Sequence, residues 1–119
     1  MTAFEDQPGA RLARGVCRHF LEAGLAPLTE FAPERGRRVD VIALGADGLV
    51  TIVECKASLA DFRADAKWEG YLPWCDAFYF AVAEDFPLEA LPVGEGVLLA
   101  DAWGAEPLRP PAPRRLAPA

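Results

Sequence analysis

The chain has 119 residues, enough for one domain with a buried core and too few for two. A hydrophobic share of 52% and a charged share of 25% are typical of a soluble globular protein. No apolar run reaches the roughly 20 residues of a membrane helix, and the first residues lack the basic start and apolar stretch of a secretory signal. We therefore expect a cytoplasmic protein with no membrane partner.

Charge is distributed unevenly along the chain. The net charge of −6 argues against general affinity for nucleic acid. However, residues 11–38 contain six arginines and three glutamates, whereas residues 84–106 contain six acids and no basic residue. The basic part could still bind a phosphate backbone, with modest and salt-dependent affinity.

The first predicted element is an amphipathic helix over residues 10–23. Its apolar side chains recur at helical spacing and include Leu12, Val16 and Phe20. Gly24 is the predicted C-cap. Residues 28–32 then predict a strand, and residues 33–36 predict a turn.

Residues 39–56 predict a tight β-hairpin, because two β-branched apolar runs flank a Gly-Ala-Asp-Gly connection. If Gly48 takes the left-handed conformation of a three-residue turn, Asp40 lies opposite Glu54. Lys56 then shares the face of Glu54, because side chains alternate along a strand. The hairpin therefore brings three charged groups together on one face.

The second half predicts one more helix and several short elements. Ser58 begins a helix that should run to about Tyr71, and residues 77–82 form a buried strand that completes a right-handed parallel crossover. A helical turn, a strand and a short packed segment are predicted at residues 88–91, 96–101 and 103–108. Residues 109–119 have the composition of a disordered basic tail, which leaves a single domain over residues 1–108.

On the predicted second helix, Trp68 faces away from the core and lies one turn from Tyr71. Exposed aromatic side chains beside cations such as Lys67 can stack on unpaired bases. Packing of Trp68 under the tail or against another subunit is the alternative. Asp61 and Asp65, also one turn apart, could form a second cation site, although charge compensation at the helix start explains Asp61.

The opposed carboxylates of Asp40 and Glu54 carry the main functional signal. Directly opposed strand residues have Cβ atoms roughly 4.5–5.5 Å apart, close enough for both carboxylates to bind one hard cation. Without a cation they would repel each other. Alternatively, Glu54 and Lys56 form an exposed ion pair at a strand end and Asp40 merely begins a strand. Spacing alone leaves both interpretations open.

Asp40, followed by a hairpin and Glu54-Cys55-Lys56, resembles the D...(D/E)-x-K core of the PD-(D/E)XK nuclease superfamily. Longer segments are similar to the MmcB-like bacterial DNA repair family. These segments are residues 36–41, 53–58, 61–68, 71–76 and 80–82. The resemblance implies an α/β fold with a restriction-endonuclease-like three-layer core (αβββαβ), a mixed central sheet flanked by helices.

The resemblance also implies a role in DNA repair, with metal-dependent hydrolysis of DNA phosphodiester bonds. Asp40, Glu54 and the backbone carbonyl of Cys55 would hold Mg²⁺ or Mn²⁺, and Lys56 would orient water or stabilise phosphate oxygens. The first helix lacks the acidic residue that many relatives place over the metal, and Glu30 is the candidate replacement. Candidate DNA contacts are Arg37, Arg38, Lys67, Trp68 and Tyr71.

Other functions remain open at this point. The same fold could serve as a catalytically weak or inactive DNA-binding or adaptor module. It could also be an interaction subunit, in a homodimer or with a repair-protein partner, with Trp68, Trp74 or Trp103 marking the partner surface. For Glu30, a solvent-facing position on an edge strand is the alternative to a place in the site.

Overall fold

Six strands lie side by side in chain order and form one mixed sheet in the computed structural model, which describes residues 7–114. The strands are β1 (Ala26–Glu34), β2 (Arg37–Leu44), β3 (Val50–Lys56), β4 (Ala77–Val82), β5 (Gly96–Ala100) and β6 (Ala105–Arg109). Strands β3, β4 and β5 are parallel, and the other neighbouring pairs are antiparallel. The helices are α1 (Pro8–Glu22), α2 (Leu59–Ala64) and two 3-10 helices, η1 (Trp68–Trp74) and η2 (Leu88–Ala90). The predicted αβββαβ order and mixed sheet are confirmed.

Helix α1 covers one face of the sheet. Its predicted apolar arc is buried with Val41, Val53 and Ala81 in one core cluster. The helix ends at Glu22 with Ala23 as its C-cap, and the predicted cap, Gly24, lies one residue later with a φ of 86°, which few other residues tolerate. The N–H of Leu25 donates to the carbonyl of Phe20 at 2.8 Å, which satisfies a carbonyl that the helix itself leaves free.

The hairpin of β2 and β3 has the predicted register. Val41 pairs with Val53 and Leu44 with Val50, and Asp40 and Glu54 are the next residues beyond the last pair. The turn depends on Gly48, which takes the left-handed conformation with φ 83°. A shift of one residue would move one of the two carboxylates to the other face.

A second core cluster lies on the opposite face of the sheet, beneath α2 and η1. It is rich in aromatic side chains and includes Tyr71, Phe78, Phe80 and Phe86. Strand β4 contributes Phe80 to this cluster and Ala81 to the cluster under α1, which confirms the predicted strand buried on both faces.

The second helix is shorter than predicted, because it ends at Ala64 rather than near Tyr71. The carboxylate of Asp65 accepts the N–H groups of Lys67 at 2.7 Å and Trp68 at 3.1 Å. These bonds replace the helical pattern and begin η1. The predicted exposure of Trp68 is wrong, because its ring packs against Phe80 with centroids 5.1 Å apart.

The predicted boundary of the tail at Arg109 is also wrong. Arg109 is the last residue of β6, and its guanidinium donates to the carbonyls of Glu95 at 2.8 Å and Pro92 at 2.9 Å. Further on, Arg114 pairs with the carboxylate of Glu95 at 3.3 Å. The rest of the predicted tail, residues 115–119, lies outside the described residues. Within residues 7–114, no helix is long and apolar enough to cross a membrane.

Candidate functional site

Strands β2 and β3 separate at Asp40, just beyond the pair formed by Val41 and Val53. Val39 and Val41 belong to core clusters on opposite faces of the sheet, although residues two apart in a regular strand share a face. The backbone of β2 therefore turns at Asp40. Its carboxylate Oδ2 accepts the backbone N–H of Cys55 at 2.8 Å, which fixes it between the two strands.

Glu54 is the least solvated acid of this site. Its side chain lies beside Phe80 of β4, the residue is 4% exposed, and Oε1 has no hydrogen-bond partner within the described part of the chain. Burial, a hydrogen bond with Asp40 and the charge of Asp40 raise the pKa of Glu54 to about 10, against the weaker opposing effect of Lys56. Two adjacent carboxylates with an unpartnered oxygen are suited to a hard divalent cation.

Lys56 reaches the same face but is paired elsewhere. Its Nζ lies 2.6 Å from Oδ2 of Asp65; the Lys56 residue is buried and the Asp65 side chain is 12% exposed. Burial lowers the pKa of Lys56, but the hydrogen bond and charge of Asp65, with the charge of Glu54, outweigh it and raise that pKa. The ammonium is therefore held in its charged form beside Glu54.

Asp65 is the residue of the site whose part the sequence did not reveal. Burial raises its pKa, but the bond from Lys56 and the backbone bonds from Lys67 and Trp68 together lower it below the ordinary value. For the predicted second cation site, Asp65 is paired with Lys56, and Asp61 accepts the N–H of Ala57 at 3.2 Å at the helix start, which favours the alternative of charge compensation for Asp61. One feature of the sequence is consistent with its role: an aspartate can accept the backbone N–H groups two and three residues later, as Asp65 does with Lys67 and Trp68.

Glu30 lies across from Asp40 on β1, between the pairs formed by Thr29 and Phe31 with β2. It has a φ of 57°, uncommon for a residue other than glycine, and such strain often accompanies function. Glu30 and Asp40 line the same cavity of about 370 Å³. Over residues 7–114, however, no three His, Cys, Asp or Glu side chains are grouped closely enough to hold a metal ion.

The predicted DNA contacts separate into two groups. Arg38 is exposed, with Nε 4.0 Å from Glu30, and Lys67 is also on the surface. Arg37 is half-buried and paired with Glu34 at 2.6 Å.

Trp68 and Tyr71 are the second group, and the structure contradicts their predicted exposure. Trp68 belongs to the aromatic core, and Tyr71 is 5% exposed, with its hydroxyl donating to the carbonyl of Arg38 at 3.0 Å. The Tyr71 ring is therefore closed to a base, and the Trp68 ring is partly covered by Phe78 and Phe80.

A mixed six-stranded sheet flanked by helices, with two carboxylates and a lysine near the point where β2 and β3 separate, defines an α/β protein with a charged site at the sheet. The chain belongs to the DNA repair protein MmcB-like family, which it matches over residues 4–119. This match confirms the resemblance to the MmcB-like family that the sequence showed.

Two solved structures are similar to this chain. The SPO1766 protein of unknown function from Silicibacter pomeroyi is 54% identical, with a TM-score of 0.91 over 94% of this chain and 77% of that chain. A repair endonuclease from Pyrococcus abyssi is 20% identical, with a TM-score of 0.41 over 60% of this chain and 34% of that chain. No curated protein matches the sequence.

Proposed function

We propose that this chain is a DNA repair nuclease domain that hydrolyses DNA phosphodiester bonds with Mg²⁺ or Mn²⁺. The observation that carries the proposal is the Asp40–Glu54 pair, in which Oε1 of Glu54 is buried and has no hydrogen-bond partner among residues 7–114. A buried polar atom without a hydrogen-bond partner lowers the free energy of unfolding by about 1–3 kcal/mol, so this arrangement makes the metal-free fold less stable. Sites that are built for a ligand show this pattern.

The residues present fit a small divalent cation. Asp40 accepts one N–H and keeps other lone pairs, and Glu54 offers Oε1. The N–H of Cys55 points toward β2, and in a β-strand the carbonyl of the same residue points to the same neighbour. These groups would supply three oxygen ligands, and water would complete the octahedron that Mg²⁺ prefers.

A bound ion would lower the pKa of its water and neutralise charge that develops on the phosphate oxygens. The chain's own residues complete the site. Lys56 is held by Asp65 through one of its three N–H donors, which leaves the others for water or a phosphate oxygen. Asp65 thereby orients the ammonium that the reaction requires.

The exposed cations nearby would position the DNA. Arg38 and Lys67 lie on the surface near the site, and arginine suits bidentate binding of phosphate oxygens. Because the chain carries a net charge of −6, we expect modest affinity that falls steeply with salt.

A second candidate function is a DNA-binding or adaptor module without catalysis. The observation that favours it is the contact of 2.6 Å between Lys56 and Asp65, which occupies the lysine. Over residues 7–114, no three carboxylates are grouped closely enough to hold a metal ion, which points the same way. Such a module would bind metal and DNA without cutting.

The test is a panel of single-stranded, nicked, flapped and branched DNA incubated with Mn²⁺, beside calorimetric titration of the ion. We expect cleavage of at least one substrate, abolished in Asp40→Asn and retained in Glu95→Gln, a control at a buried glutamate distant in sequence. Stoichiometric Mn²⁺ binding without cleavage of any substrate would favour the adaptor function. Failure of the wild-type protein to bind Mn²⁺ would exclude both.

A further inference from the structure

A groove of about 1130 Å³ runs along the carboxyl ends of β3, β4 and β5 and is separate from the Asp40–Glu54 pair. Its lining includes small side chains at the ends of these strands and at the start of β6, namely Ala57, Ala83, Ala100 and Ala105. Because alanine fills little space, the groove is open to a larger side chain. Ligands commonly bind at this edge of parallel strands.

Trp103 stands at this groove and is 74% exposed. It lies on the turn between β5 and β6, where Oδ1 of Asp101 accepts the N–H groups of Trp103 at 2.8 Å and Gly104 at 3.0 Å. The turn also packs directly on α1, since a Cβ at Gly15 would lie 1.8 Å from the carbonyl oxygen of Asp101. The backbone beneath the indole ring is therefore fixed before any partner binds, which lowers the entropic cost of binding.

Charge around the groove is strongly negative. Glu84, Asp85 and Glu106 are exposed there, and within residues 7–114 none of them takes part in an ion pair with a neighbour. Among the described residues, the lining contains one basic side chain, Arg11. A phosphate backbone would be repelled from this surface, so that the groove does not extend the candidate DNA-binding face.

We propose that the groove binds an arginine-containing, otherwise apolar peptide segment of a partner protein. An arginine side chain supplies the charge that complements the acidic rim, and its guanidinium can stack on the face of Trp103. Apolar side chains of the segment would fill the space left by the alanines. Exposed tryptophans held on rigid backbone are the residues that dominate binding energy at protein interfaces. The inference is independent of the nuclease chemistry.

The experiment is isothermal titration of the full chain, at low salt and without metal, with two short blocked peptides. The peptides share their leucines and differ only in carrying arginines or glutamates. We expect the arginine peptide alone to bind, roughly tenfold more weakly in Trp103→Ala. Trp74→Ala, a control at another exposed tryptophan, should bind as the wild type does.

The role of charge is tested in the same assay with Glu106→Gln. This substitution should weaken binding of the arginine peptide and make that binding less sensitive to salt. Equal binding to wild type and Trp103→Ala would overturn the inference, as would equal binding of the two peptides. Binding of single-stranded DNA through Trp103 in place of the arginine peptide would also overturn it and make the groove a nucleic-acid surface. Metal binding and DNA cleavage should be unchanged in Trp103→Ala, so that failure here leaves the proposed function intact.

Discussion

Replacing Glu54 by glutamine should stabilise the metal-free protein, and increasingly so as the pH rises. The pKa of Glu54 is about 10 in the folded chain, against an ordinary value of 4.5. Between these values the unfolded chain loses a proton that the folded chain keeps, so the free energy of unfolding falls with rising pH. The slope is at most about 1.4 kcal/mol per pH unit, the contribution of one proton.

The size of the effect follows from the pH of the measurement. At pH 7.5, about three units above the ordinary pKa of 4.5, the free energy of unfolding of the wild-type protein is lower by up to about 4 kcal/mol than under acid conditions. Glutamine has the shape of the protonated acid and cannot ionise. We therefore expect the free energy of unfolding of Glu54→Gln to be about 2–4 kcal/mol higher than that of the wild type at pH 7.5. The difference should vanish near pH 4.5.

Urea unfolding in the presence of a chelator, repeated from pH 5 to pH 9, measures this difference. The matched control is Glu95→Gln, since Glu95 is also buried but its carboxylate pairs with Arg114 at 3.3 Å. That substitution should give no stabilisation that grows with pH. Parallel pH profiles for the wild type and Glu54→Gln would refute the assignment of Glu54 as a buried, uncompensated acid.

Three further predictions follow from other contacts. Lys56→Met should destabilise the protein by about 3 kcal/mol in urea unfolding, because it leaves the buried Asp65 carboxylate without its cation; an unchanged midpoint would contradict that pairing. Gly15→Ala should cost about 3 kcal/mol through overpacking, whereas Gly9→Ala in the same helix, with open space around it, should cost nothing; similar thermal midpoints for the two variants would contradict the tight contact of α1. Arg38→Ala should weaken binding of uncut DNA in Ca²⁺ and reduce the salt slope by about one, and an unchanged slope in fluorescence anisotropy would remove Arg38 from the DNA surface.

The hairpin shows what the sequence could predict. Its register depends on local chemistry, because a glycine that can take positive φ lies between two β-branched runs. In the fold, Gly48 takes this conformation and the strands pair in the predicted register. The buried strand β4 was equally predictable from a continuous apolar run. Because Asp40 and Glu54 lie on this hairpin, their approach followed from the sequence as well.

The segment after α2 shows what the sequence could not predict. The spacing of apolar residues continues past Ala64, but the carboxylate of Asp65 competes for the backbone N–H groups and finds a partner in Lys56, nine positions earlier. Once the helix ends there, the helical phase that placed Trp68 on the outside no longer applies. Tertiary contacts determine the conformation of this segment, and these contacts cannot be predicted from local helix propensity.

The strained backbone of Glu30 and the order of residues 109–114 also depend on distant partners. No local pattern distinguishes Glu30 from an ordinary strand residue, yet it has a φ of 57° beside Asp40. The Pro-rich, basic composition after Arg109 is typical of disorder, but Arg109 binds carbonyls near Glu95 and Arg114 binds its carboxylate. Composition cannot report a buried acid elsewhere in the chain.

Crystals soaked in Mn²⁺ and measured at a wavelength where manganese scatters anomalously test the central claim most directly. We expect one anomalous peak between the carboxylates of Asp40 and Glu54, about 2.1 Å from an oxygen of each, and no peak in crystals of Asp40→Asn. An anomalous map without a peak there at saturating Mn²⁺ would contradict it.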